Sequence, residues 1–248
     1  MTTLTHPRDP AVKRPLVIAV DGPAAAGKGT LARRLAEALG LAYLDTGLLY
    51  RAVGMNALEQ NVAPGTSSST SSIAPDAAIA AARALTVADL QRADLRSDAA
   101  ANAASHVAAI PAVREALLSF QRQFAAAPPE GSAGAVLDGR DIGSVVCPDA
   151  RVKVFVTASE TVRAARRYRE LRQRGLAAIH SRVLTDMRER DARDRARVVA
   201  PLKPAEDAIV IDTSELDPDI VLGVVLKVMV SSLGALPTAR GNLRPRPD

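Results

Sequence analysis

Val17-Ile-Ala-Val-Asp-Gly-Pro-Ala-Ala-Ala-Gly-Lys-Gly-Thr30-Leu-Ala-Arg-Arg-Leu35 reads as strand, tight turn and helix in immediate succession. Leu16 to Val20 is an apolar, β-branched run of the kind that forms a strand buried on both faces of a parallel sheet. Gly22 and Gly27 then bracket four residues and Lys28 follows, which is the G-x-x-x-x-G-K spacing of a phosphate-binding loop. The whole segment Gly22, Pro23, Ala24, Ala25, Ala26, Gly27, Lys28, Gly29, Thr30 is the candidate ATP-binding loop. Its glycines let backbone N–H groups turn inward on an anion, and the next helix adds free N–H groups and the positive end of its dipole. Lys28 supplies a mobile positive charge for the β and γ phosphates, and Thr30 is a candidate Mg²⁺ ligand, directly or through water. The residue after the lysine is Gly29, so the hydroxyl stands one position late.

Outward from this loop, Leu31, Leu35 and Leu39 recur at helical spacing and Gly40 closes the helix. Leu41 to Asp45 reads as a second short strand ending in a polar turn, followed by a helix from Leu48, so β-loop-α-β order predicts a parallel sheet. Asp45, Thr46, Tyr50 and Arg51 then fall at a strand's carboxyl end and the start of a helix, where open α/β sheets bind ligands. Residues 61–75 are Ser/Thr-rich and of low complexity, an expected exposed loop. An Ala-rich helix is expected over residues 76–85. A longer helical pattern over 99–124 is broken at Pro111, so that Ser105 and Arg114 point into one cleft. Ala133-Gly-Ala-Val-Leu-Asp138 is an apolar strand ending in a carboxylate, the pattern of a Walker B element, which makes Asp138 a second candidate Mg²⁺ ligand. Arg140 and Asp141 follow it immediately. Residues 151–157 and 208–212 read as further strands, Ser159 and Asp217 as helix caps, and residues 1–14 and 234–248 as tails. Five strands interleaved with helices predict an α/β three-layer domain over residues 15–233.

Composition narrows the chemistry. The chain has 248 residues, 48% hydrophobic and 24% charged, an ordinary globular balance. No apolar run reaches the roughly 18 residues of a membrane span and residues 1–14 lack the apolar core of a signal peptide, so a cytoplasmic protein is expected. The single cysteine, Cys147, excludes an internal disulfide and reads as a small buried residue. Net charge is +5, yet residues 163–197 alone hold 12 Arg against 5 Asp or Glu. Three Phe, three Tyr and no Trp offer few stacking platforms, so a nucleotide fits this basic region better than a nucleic acid. In the second of its two arginine-rich helices, expected over 179–197, Arg190, Arg193, Asp194 and Arg197 share one face at about 100° per residue. Arg188 and Arg195 share another and are expected to be solvated, with i,i+4 ion pairs. Arg51, Arg114, Arg140, Arg190 and Arg197 exceed what one triphosphate needs, so a second anionic group is expected. If that group is a phosphate monoester, it is largely deprotonated at neutral pH and no general base is obligatory.

Six blocks carry a family resemblance: Gly22 to Thr30, Leu44-Asp-Thr-Gly-Leu-Leu-Tyr-Arg51, Ala101-Asn-Ala-Ala-Ser105, Val113-Arg-Glu-Ala-Leu117, Asp138-Gly-Arg-Asp-Ile-Gly143 and Glu189 to Arg197. In this order, from about residue 15 to 229, the chain resembles the bacterial cytidylate kinases, a nucleoside monophosphate kinase family; the Gly29 spacing agrees. The resemblance implies ATP-dependent phosphorylation of CMP and dCMP with Mg²⁺; a monomer is expected, with neither nucleic acid nor membrane as partner. It implies that Ser105, Arg114 and Asp141 contact cytosine, Arg190 and Asp194 the ribose, and Arg51, Arg140 and Arg197 the monophosphate. Lys28, Asp141, Arg190 and Arg197 become the candidate catalytic residues, and helices over about 160–200 a lid. Thr46 stands where many members have Ser. Residues 61–97 are shorter than the strand-rich insert common in the family. Two readings compete: a kinase for UMP or for a hydroxyl acceptor, in which Asp141 acts as base, and a nucleic-acid-binding ATPase with its arginine helices on a phosphate backbone.

Overall fold

The alternation of Val17, Ile18, Ala19 and Val20 builds the centre of the molecule. In a computed structural model, which describes residues 15–60, 73–234 and 236, these residues lie in β1 (Leu16–Asp21), the middle strand of a five-stranded sheet. β2 (Ala42–Asp45), β3 (Gly134–Gly139), β4 (Val152–Thr157) and β5 (Ile209–Asp212) complete it in the order β2-β3-β1-β4-β5, every pair parallel. Asp21 is in register with Gly139 on one side and Phe155 on the other, so the carboxyl ends of the three central strands end at one edge. The order of connection reverses at β1, and such a switch point is where open α/β sheets leave a crevice for ligands.

Ile18 and Val20 face one layer, packing with α1 (Lys28–Leu39) and α8 (Pro218–Leu233) through Leu31, Leu35, Val221, Val225 and Met229. Ala19 faces the other, with Ala135, Leu137, Ile142 and Ala125 of α5 (Pro111–Ala126). The expected α/β three-layer domain is therefore present. Full burial of a side chain such as Leu35 contributes about 2–3 kcal/mol.

Two smaller cores stand over the carboxyl edge. α2 (Thr46–Gln60), α3 (Pro75–Arg83), α4 (Asp98–Val107) and α5 share Leu49, Val53, Ala78, Ala81, Val107, Val113 and Leu117. α6 (Glu160–Gln173) and α7 (His180–Ala196) enclose Ala164, Leu171, Val183 and Met187. The expected caps form: Ser159 accepts from the Val162 N–H, Asp217 from that of Asp219, and Gly40 ends α1 at φ 62°.

Some expectations are corrected. The polar turn predicted after β2 is absent: α2 begins directly at Thr46, because the Asp45 carboxylate accepts from the Gly47 N–H at 3.0 Å. Arg188 pairs with Glu160 of α6 rather than within its own helix. Cys147 is half-buried, its thiol pushed up to about 11 by burial. The tail over 1–14, the low-complexity loop over 61–72 and most of the tail from 235 lie outside the described residues. The remainder of the insert contains α3 and two 3₁₀ turns, and among the described residues no strand. No helix among the described residues is long and apolar enough to cross a membrane.

Candidate active site

The phosphate-binding loop follows β1 with a backbone that only particular residues permit. Gly22 has φ 146°, and a Cβ there would sit 2.0 Å from the Val156 carbonyl oxygen. Ala25 is held at φ 58°, a left-handed conformation that costs a non-glycine residue about 1 kcal/mol or more, and strain of this kind concentrates at ligand-binding turns. The Thr213 hydroxyl, from the loop after β5, donates to the Ala26 carbonyl at 2.8 Å and steadies the turn.

Asp138 ends β3 directly beside this loop. Its carboxylate lies 3.5 Å from the Lys28 amine and accepts from the Tyr43 hydroxyl at 3.3 Å. Burial raises the Asp138 pKa, with Lys28 opposing. Burial, joined by Arg140, lowers that of Lys28. A Cβ on Gly29 would lie 2.9 Å from Asp138 Oδ2, so the carboxylate occupies the space that a serine or threonine side chain after the lysine would need. Thr30, one residue later, is turned about 100° around α1; its side chain is exposed and lines neither cavity described below. Of the two oxygen donors expected for a metal, Asp138 lines the smaller cavity and Thr30 lines neither.

Two cavities open at the carboxyl edge of the sheet. The smaller, about 200 Å³, is lined by Asp45, Thr46, Tyr50 and Arg51 from the β2–α2 junction and by Ser105 and Arg114 from α4 and α5. Asp138, Arg140 and Asp141 after β3 and Arg190, Asp194 and Arg197 of the α7 segment close it. All the residues expected on the acceptor side are thus brought together. The larger, about 480 Å³, runs from Ala24 and Ala25 of the loop to Arg167, Glu170 and Met187 of the arginine-rich helix pair. The two share Lys28, Arg51, Arg140 and Arg190, so four cations stand where they meet.

Within the smaller cavity, Asp194 is the hub. Its carboxylate accepts from Arg140 Nε at 3.1 Å, pairs with Arg197 and lies 3.4 Å from the Ser105 hydroxyl. Burial works to raise Asp194, but Arg140, Arg197 and Arg190 together hold it below the usual carboxylate range. Arg114 pairs with Asp141 and lies over the Tyr50 ring, 5.5 Å from its centroid. Thr46 donates to the Asp138 carbonyl at 2.8 Å, tying β2 to β3, and Arg51 donates to the Leu95 carbonyl at 2.8 Å. Arg190 is different: burial, with Arg140 beside it, pushes it down to about 9, so it remains charged at neutral pH. The buried Nε atoms of Arg190 and Arg197 have no hydrogen-bond partner among the described residues. An unpaired buried donor is costly, and two on guanidiniums facing one cavity suit an anionic ligand.

The partners of three residues escaped the sequence reading. Asp21 accepts from the backbone N–H groups of Ile142 and Gly143 at 2.8 Å each, folding the segment after Asp141 into one turn of π-helix. Arg193, expected on the same face as Arg190, lines the larger cavity beside it and bonds to Asn102 at 2.9 Å and Ser105 at 3.3 Å. Arg163 is buried between α6, α7 and the loop. Each has partners far away in sequence, and no local spacing announces them.

Comparison with known proteins gives the family. The family model described as "Cytidylate kinase" matches residues 18–231. The chain belongs to the cytidylate kinase family. Among curated relatives, a cytidylate kinase of Paramagnetospirillum magneticum is 59% identical over 217 residues, covering 87% of this chain and 98% of that protein. One of Rhodospirillum rubrum is 56% identical over 86% of this chain and 97% of its own length. One of Granulibacter bethesdensis is 58% identical over 82% and 91% respectively. As a member of the cytidylate kinase family, the protein is a phosphotransferase.

Proposed function

We propose that the enzyme transfers the γ-phosphoryl group of ATP to CMP and dCMP by direct in-line displacement. ATP lies with its phosphates along the loop in the larger cavity, and the monophosphate lies in the smaller. The observation that carries this reading is the meeting of the two cavities at Lys28, Arg51, Arg140 and Arg190. A single triphosphate on a phosphate-binding loop has no need of so many cations; two anionic groups facing each other do.

An oxygen of the acceptor phosphate, already deprotonated near pH 7, attacks the γ phosphorus; the bond to the β–γ bridging oxygen breaks and ADP leaves with that electron pair. Asp141, paired with Arg114, is then free of any duty as base and reads the cytosine together with Arg114 and Ser105. A carboxylate accepts from the cytosine 4-amino group, whereas uracil would present an oxygen to it. Arg190 and Asp194 hold the ribose, and Arg51, Arg140 and Arg197 the monophosphate. Lys28 and the arginines of α7 spread the charge that develops on the transferring group. α6 and α7 act as the lid that excludes water and limits hydrolysis of ATP.

Mg²⁺ suits the donor set. It keeps several waters and needs one or two carboxylates besides phosphate oxygens, and the buried Asp138 beside Lys28 supplies one. Held there, it would offset negative charge on the triphosphate.

Incubation with ATP and, separately, CMP, dCMP, UMP, AMP and cytidine, with the diphosphates and cytidine monophosphate quantified, tests the reading. Rapid formation of CDP and dCDP with UMP slower is expected. Failure to phosphorylate CMP, or preferential phosphorylation of cytidine at its hydroxyl, would overturn it.

A further inference from the structure

α7 presents Arg190 and Asp194 to the smaller cavity, and about 100° round the same helix its Asp191 is held by one buried partner. Arg163 of α6 and Asp191 are 2% and 1% exposed, and Arg163 Nη1 lies 2.7 Å from Asp191 Oδ2. The contact is an ion pair without hydrogen-bond alignment, since neither Asp191 oxygen has a hydrogen-bond partner among the described residues. The same guanidinium donates from Nε to the Ala158 carbonyl at 2.9 Å and from Nη1 to the Ala24 carbonyl, in the phosphate-binding loop, at 3.3 Å. Ala24 and Ala25 pack on the apolar core of α6 and α7 around it.

Neither charge lines either of the two cavities. A pair this deeply buried adds little stability over apolar side chains of the same size, because desolvation offsets the attraction. What it does add is geometry. A rigid planar fork meets the loop before α6, the phosphate-binding loop and α7 at once, and a lysine could not hold all three in one plane.

We propose that Arg163 is a positioning residue: through Asp191 and the Ala24 carbonyl it fixes the rotation of α7 against the phosphate-binding loop. Arg190 and Asp194, on either side of Asp191 in sequence, are thereby kept in line with the donor. The exposed Arg188–Glu160 pair joins the same two helices without touching the loop and has no such role. The inference uses the proposed transfer reaction for its readout.

The test is the double substitution Arg163→Met with Asp191→Leu, which removes both charges together, against the parent and Arg188→Ala. Thermal unfolding and steady-state kinetics with ATP and CMP are measured for each. The double variant is expected to unfold within a few degrees of the parent with kcat lowered on the order of 100-fold, as misplacement by about 1 Å can produce. KM for ATP is expected to change far less, and Arg188→Ala to match the parent in everything. A stable double variant with parental kcat overturns the proposal. If the double variant fails to fold, Arg163→Lys decides: it keeps a charge for Asp191 but lacks the fork, so a folded protein of lowered kcat supports the positioning role and parental kcat removes it. A parent that does not turn over CMP sinks the proposed reaction itself, which separates that failure from this one.

Discussion

Asp21 shows how much one buried carboxylate can organise. It closes β1, immediately before the phosphate-binding loop, and through two backbone N–H groups it shapes the turn that carries Asp141. Burial, opposed by those two bonds, raises its pKa from 3.8 to about 7. The unfolded carboxyl releases its proton near 3.8 and the folded one near 7, so between these values the folded state binds more protons. Stability therefore falls as pH rises from about 4 to 7. Urea unfolding at pH 5 and pH 7.5 is expected to show this loss in the parent and a smaller one in Asp21→Asn, with Asp138, also raised by burial, supplying the remainder. An equal slope in both proteins would contradict the assignment. The carboxylate lies within the stretch that announces the fold, yet its role was illegible there, because its partners stand 121 and 122 residues downstream. Lys28, by contrast, was legible, because a phosphate-binding loop fixes the lysine's distance from its glycines.

At the scale of the element, the start of α1 explains the late hydroxyl. Gly29 faces the Asp138 carboxylate, and β3 brings that carboxylate to Lys28. Gly29→Ala is expected to displace Asp138 or the first turn of α1 and to raise KM for ATP about tenfold, roughly 1.4 kcal/mol. Steady-state kinetics check it, and parental KM would show that the close approach is relieved without consequence. Helices and strands were readable because each carries its own period and its own stops: Gly40, Ser159 and Asp217 act where the sequence puts them. The β2–α2 junction was not, since Asp-Thr-Gly is turn chemistry out of context. Only the Gly47 bond to Asp45 shows it to be the first turn of a helix. Likewise, 100° spacing grouped Arg190 with Arg193, and both line the larger cavity, but it did not show that Arg193 meets Asn102 of α4.

At the scale of the whole molecule, the two helical groups above the sheet are tied together across the site. Arg167 pairs with Asp98, Arg174 donates to the Arg96 carbonyl at 2.7 Å, and Arg193 reaches Asn102. These ties hold residues of α2, α4 and α5 in one cavity with those of α7, and they account for part of the arginine excess of residues 163–197. Sequence patterning revealed that a second anion must be met, since the number of arginines exceeded one ligand's needs. It did not reveal which arginines serve the fold: Arg163, Arg167 and Arg174 are spent on protein partners.

The two-anion site is tested most directly on α7 itself. Arg190 lines both cavities, whereas Arg195, five residues further along the helix, is largely exposed with its nearest carboxylate 4.0 Å away. kcat/KM for CMP is to be measured with Arg190→Ala and Arg195→Ala beside the parent. A fall on the order of 10³ for Arg190→Ala is expected, the scale of one arginine at a transferring phosphoryl group, with Arg195→Ala close to the parent. Equal effects from the two substitutions, or none from Arg190→Ala, would contradict a site built on the cavity face of α7.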